Sequence, residues 1–164
     1  MRNITQMETH EIASNFYSAF AKGDAETMTS LYADAVEFED PAFGKLKGSE
    51  AKMMWQMLIE RSKGNLKVSY EVSETTKNTA KVNWTAVYPF SKTGRMVTNH
   101  IEATLVIENG RIIQHTDHFN LWKWSRQAMG WKGYLLGWTP FFRKKLQQQT
   151  RKMLQQYMGH QPLS

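Results

Sequence analysis

The chain has no cysteine among its 164 residues, which excludes disulfides, thiolate nucleophiles and cysteine-ligated zinc or iron–sulfur centres. It also has no run of about 18 apolar residues, so no segment reads as a membrane-spanning helix. The N-terminal stretch MRNITQMETHEIASNF lacks the apolar core of a secretory leader, and a cytoplasmic location is the expectation. No Walker loop, GxGxxG fingerprint or GxSxG elbow occurs. The five histidines show no HExxH spacing, so neither a metal nor another cofactor is expected; His100, His115 and Asp117 are the side chains from which a metal site would have to be assembled. Internal repeats and Pro/Gly-rich linkers are missing too, which points to a single domain.

Acidic residues are missing from one region only. After Asp117 the remaining 47 residues hold eight Lys or Arg and no Asp or Glu, whereas the first 117 hold 13 basic and 15 acidic residues. The net charge of +6 therefore belongs to a basic tail on a nearly neutral body. Trp122, Trp124, Trp131 and Trp138 lie in that tail, four of the six tryptophans. With 41% hydrophobic and 12% aromatic residues, the body can bury a sizeable core.

Helical spacing of Ile12, Phe16, Ala19 and Phe20 predicts a helix over residues 8–22, and Asp24 can cap a second over Ala25 to Tyr32. Val36 to Asp40 alternates apolar and acidic residues, a short strand that Pro41 ends. Gly48-Ser49 opens a third helix through Arg61. From there the period changes to two, with strands at about 66–76, 80–90, 95–108 and 111–122. Asn109-Gly110 between apolar runs is the strongest hairpin signal. Thr139-Pro140 reads as the cap and first residue of a terminal helix reaching Tyr157. Helices followed by an antiparallel meander give an α+β fold.

Three segments then carry a resemblance. Ala21-Lys22-Gly23-Asp24 with Leu31-Tyr32-Ala33-Asp34-Ala35, Val36 to Pro41, and Gly110-Arg111-Ile112 with His115-Thr116-Asp117-His118-Phe119 resemble the nuclear transport factor 2-like superfamily. This is the cone of helices in a curved sheet shared by ketosteroid isomerase, limonene epoxide hydrolase and the SnoaL-like polyketide cyclases. The resemblance implies such a domain over residues 1–122, with 123–164 a basic, aromatic helical extension packed on it. It also implies a homodimer formed through the sheet.

Strand alternation puts Val36, Phe38 and Asp40 on one face, and Ile113, His115, Asp117, Phe119 and Leu121 on one face of the last strand. Asp40 aligns with the isomerase's proton-abstracting aspartate; an Asp before Pro is equally a turn cap. Asp117 resembles the last-strand acid of the hydrolase and the cyclases, and is alternatively a buried Asp bonded to Trp indoles or a neighbouring His. Counting back from Gly110 brings Glu102 to the isomerase's protonated carboxyl position, with His100 beside it as a polarising or merely pairing group. Phe16, Tyr32, Trp55, Trp84 and Phe119 would line the pocket. The departures are specific: the isomerase's oxyanion tyrosine falls at Phe16, with Tyr17 about 100° further round the helix. A further tyrosine is replaced by Gln56, and the hydrolase's Arg and Asp positions hold Trp84 and Ala86.

The expectation is acid/base chemistry on a small, largely apolar carbonyl compound, of isomerase, dehydratase or cyclase type. Asp40 and Asp117 would be the acid/base pair, with His100, Glu102 and His115 polarising the substrate. A non-catalytic binding or dimeric interaction module is the alternative, marked by a sealed and fully hydrogen-bonded interior. For the tail, closure of the cone mouth or contact with a second subunit is expected ahead of membrane contact, and no nucleic-acid partner is expected.

Overall fold

Asp24 accepts a hydrogen bond from the Thr27 amide at 3.0 Å and starts the second helix where its sequence predicts. The structure, a computed structural model, describes residues 4–160; the two ends of the expected domain and extension, residues 1–3 and 161–164, lie outside them. The elements are α1 (Ile4–Ala21), α2 (Ala25–Ser30), β1 (Tyr32–Asp40), β2 (Gly44–Lys47), α3 (Ser49–Ser62), β3 (Lys67–Thr75), β4 (Thr79–Pro89), β5 (Met96–Glu108), β6 (Arg111–His118), α4 (Leu121–Met129), α5 (Trp131–Leu136) and α6 (Pro140–Gly159). The six strands form one sheet in the order β2-β1-β6-β5-β4-β3. Only the β1–β6 pair is parallel. The architecture is α+β, with α1 and α3 packed on the interior face of a curved, open sheet.

The structure departs from the sequence expectation at several points, beginning with α1, which starts at Ile4. Tyr32 opens β1 instead of closing α2, because the sheet recruits it opposite Ile112. A short strand, β2, follows the Pro41 turn and pairs with β1. The last strand ends at His118, since the Asn120 side chain accepts from the Lys123 amide at 2.9 Å and caps α4. The aromatic stretch after it folds as α4 and α5. Thr139 caps α6 as its sequence predicts, accepting from the Phe142 amide at 3.1 Å, with Pro140 in the first turn.

The β5–β6 hairpin decides what faces inward. Asn109 (φ 49°) and Gly110 (φ 75°) both take positive φ, the requirement of a two-residue turn closing Glu108 onto Arg111. Ile107 pairs with Ile112, but Val106 pairs with Gln114. Ile113 is thus an extra residue, a bulge that moves every later pair by one. Asp117 consequently faces Ala103, and Glu102 faces His118. Ile112 takes the buried place that alternation had assigned to Ile113.

The core fills the space between helices and sheet. Ala13, Phe16, Tyr17 and Phe20 from α1 meet Met54, Trp55 and Met57 from α3, with Val36, Phe38, Val82, Trp84, Ile101 and Leu105 beneath them. A smaller cluster of Val97, Leu121, Trp124 and Ala128 joins α4 to β5.

Candidate functional site

At the centre of the cone His115 is fully buried and every polar neighbour is paired. The Trp55 indole N–H donates to the Tyr32 hydroxyl oxygen (2.8 Å). Tyr32 O–H lies 2.7 Å from His115 Nδ1, and His115 Nε2 lies 2.9 Å from Asp117 Oδ1. The Trp84 indole N–H approaches the same carboxylate oxygen at 3.5 Å. With Tyr32 donating to Nδ1, the His115 Nε2–H donates to Asp117 Oδ1. The Tyr17 hydroxyl, 3.3 Å from Nε2, shares that proton's direction. Burial pushes the Tyr17 and Tyr32 hydroxyls well above the usual tyrosine value, and the Asp117 charge adds to both shifts. Both therefore stay neutral across physiological pH.

Tyr17 lies about 100° round the helix from Phe16, yet both are fully buried. The helix is enclosed by the sheet on one side and α3 on the other, so its buried arc is wider than one stripe. Ala13 and Tyr17, four residues apart, form a second apolar row that the sequence already contains.

Asp40 sits beside this network. The parallel pairs Phe38–His115 and Glu39–Thr116 run one step short of it, so Asp40 follows in line with Asp117 on the interior face. Its carboxylate accepts from the amides of Ala42 (2.9 Å) and Phe43 (2.5 Å), closing the β1–β2 turn. Burial raises it to about 7, with the Asp117 charge acting the same way against the opposing turn amides. Tyr88 on β4 accepts from the Trp124 indole N–H at 2.7 Å; burial raises its hydroxyl above the usual tyrosine value, and the Asp40 charge adds to the shift.

The extension reaches the same turn from outside. Gln147 Nε2 donates to Pro41 O (3.2 Å), Thr150 Oγ1 to Ala42 O (2.9 Å) and Arg151 Nε to Phe43 O (3.0 Å), with a further Arg151 bond to Lys45 O. α6 thus closes over the turn that follows Asp40.

Two proposed site residues are placed elsewhere. His100 and Glu102 lie on the outer face of the sheet, exposed, where His100 Nδ1 pairs with the Thr85 hydroxyl at 2.9 Å. The bulge at Ile113 is the reason: without it Glu102 would face Asp117, and with it Ala103 does. They join Glu71, Asn83 and His118 around an open cleft of about 680 Å³ on that face. Of the five residues expected to line a pocket, Phe16, Tyr32, Trp55 and Trp84 pack against one another or His115, with ring centroids 5.3 to 6.4 Å apart. Phe119 is half-buried between the main core, the α4 cluster and the outer cleft. Among the described residues no three His, Asp or Glu side chains converge as a metal-binding group, and no helix is long and apolar enough to cross a membrane.

Comparison with known proteins agrees with this architecture. The family model of the SnoaL-like domain matches residues 13–115. A protein from a soil-derived mobile gene cassette, Bal32a, superposes with a TM-score of 0.64 at 20% identity, covering 75% of this chain and 98% of that one. A Xanthomonas campestris pv. campestris protein, provisionally described as a polyketide cyclase, gives 0.62 at 16%, covering 75% and 98%. An LEH-like epoxide hydrolase of M. tuberculosis gives 0.57 at 18%, covering 80% and 92%. At these identities the likeness is one of fold. No curated protein matches the chain.

Proposed function

Since the chain belongs to the SnoaL-like domain family, we propose that it is an acid/base enzyme acting on a small, largely apolar carbonyl compound. The supporting observation is the alignment of Asp40 with the His115–Asp117 pair on one interior face of β1 and β6. A carboxylate raised to about 7 is half-ionised near neutrality, which suits a group that must take a proton and return it. In this reading Asp40 removes the proton next to the carbonyl. The electron pair moves to the carbonyl oxygen, and a neutral Tyr17 hydroxyl donates to the developing oxyanion. Return of the proton at a different carbon gives isomerisation; collapse of the enolate with expulsion of a β-hydroxyl, which takes the proton from Asp40 and leaves as water, gives dehydration. The substrate enters as α6 moves off the turn after Asp40.

The filled interior favours a second reading, a binding or dimerising module without catalysis, because each polar atom around His115 is already partnered and the aromatic rings occupy the centre. Deuterium exchange at the α-carbon of a panel of cyclic ketones, followed by NMR, separates the two. The enzyme reading expects exchange above the buffer rate that rises through about pH 7 and falls at least about a hundredfold in Asp40→Asn. His100→Ala should leave it unchanged. Absence of exchange, whether or not native mass spectrometry finds a retained ligand, supports the module.

A further inference from the structure

The short helix α5 is built inside out. A methyl group added at Gly133 would lie 1.9 Å from the Ser125 carbonyl oxygen, and one at Gly137 would lie 1.8 Å from Ser125 Oγ. Ser125 is fully buried and its hydroxyl reaches both Trp122 O (2.9 Å) and Gly133 O (3.1 Å). Only glycine permits that approach. With its glycines against α4, the helix and the turn after it turn their bulk outward. Trp131 and Phe141 are each 70% exposed, Trp138 68%, and Tyr134, Leu135 and Leu136 more than half.

Cations are set among these rings. Lys132 Nζ lies 5.9 Å from the Trp131 ring, Arg126 5.5 Å from Tyr134, and Lys145 Nζ 5.9 Å from Phe141. Among the described residues no Lys or Arg beyond Asp117 forms an ion pair, and no Asp or Glu follows Asp117. The surface is therefore apolar and aromatic at its centre and positive around it.

From this combination we infer that residues 131–141 dock on an anionic phospholipid surface. The exposed indoles and leucines would enter the boundary between headgroups and acyl chains, where amphipathic rings are favoured, while Lys132, Lys144 and Lys145 hold the phosphates. Charge argues for this occupant over a second copy of the chain. Two such patches face to face would set cations against cations, whereas an anionic bilayer neutralises them. The body, with two more acidic than basic residues, is repelled by the same surface, which orients the approach extension first. None of this depends on whether the cone is catalytic.

The test is co-sedimentation of the full chain with vesicles of equal parts phosphatidylglycerol and phosphatidylcholine, beside vesicles of phosphatidylcholine alone. The chain should pellet with the anionic vesicles only, and less as salt is raised. Trp131→Ala with Trp138→Ala and Phe141→Ala should weaken binding about tenfold or more, as should Lys132→Glu with Lys145→Glu. Both variants should melt with the wild type, since every substituted side chain is exposed. No pelleting with anionic vesicles, equal pelleting with neutral ones, or wild-type binding by the aromatic variant overturns the inference. So does light scattering that finds a dimer broken by the aromatic variant in a chain that ignores vesicles; the surface would then be a self-interface.

Discussion

Inside the cone polar groups are buried and matched to partners: His115, Asp117, Tyr32, Trp55 and Trp84 each spend their hydrogen bonds on one another. In α5 and the turn after it the arrangement is reversed, with glycines facing protein and Trp131, Leu135 and Trp138 facing solvent. The first region has nothing left to bind with unless it opens, and the second has little else. A buried network resists substitution because an orphaned partner keeps its desolvation cost. An exposed apolar surface tolerates substitution and reveals itself only when something covers it.

The largest expected effect lies in the network. Asp117→Ala takes the acceptor from the Trp84 indole and leaves the His115 Nε2–H only the Tyr17 hydroxyl at 3.3 Å, in a dry site, which should cost about 3 kcal/mol and lower Tm by about 6–12 °C in thermal unfolding. A shift below the scatter of the measurement would mean that the network is not matched as described. Next comes Gly133→Ala, which forces α5 away from Ser125 at about 1–3 kcal/mol. The loss should be local, seen as faster amide hydrogen exchange over Trp131–Leu136 while the amides of β6 keep their protection. Unchanged exchange in α5 would remove the reason given for its outward face.

The smallest effect is on the pH profile. Asp40 is raised from 3.8 to about 7, so between these values the folded chain binds more protons than the unfolded chain. Its contribution to stability therefore falls as pH rises from about 4 to about 7. Asp40→Asn keeps an oxygen for the Ala42 and Phe43 amides but does not titrate. The variant should be the more stable protein at pH 8, by on the order of 1 kcal/mol since solvent reaches part of the side chain, with the difference shrinking or reversing toward pH 4. Denaturant titrations of both proteins across that range check the sign.

Much of the cone was legible because its signals are local. Periodicity and caps fixed α1, α3, α6 and four strands, and Val36–Phe38–Asp40 with His115–Asp117 identified the two interior rows. Glu102 and His100 were misplaced because the bulge at Ile113 is set by pairing: Ile112 and Ile113 are equally apolar, and nothing in either side chain says which one enters the ladder. Tyr17 enters the core from beside the expected stripe because the width of a helix's buried face depends on what surrounds the helix.

The basic, acid-free tail is a property of the amino-acid sequence alone, since charge does not depend on folding. The amino-acid sequence likewise determined the helix-then-meander order, through periods of 3.6 and 2 and through capping residues that act within one turn of the chain. The tertiary structure alone decided that Tyr32, His115 and Asp117 satisfy one another, that α6 grips the turn after Asp40, and that α5 turns its aromatic side outward. Those outcomes rest on contacts between residues far apart in the chain. Their geometry is fixed by register and packing, which no local pattern encodes.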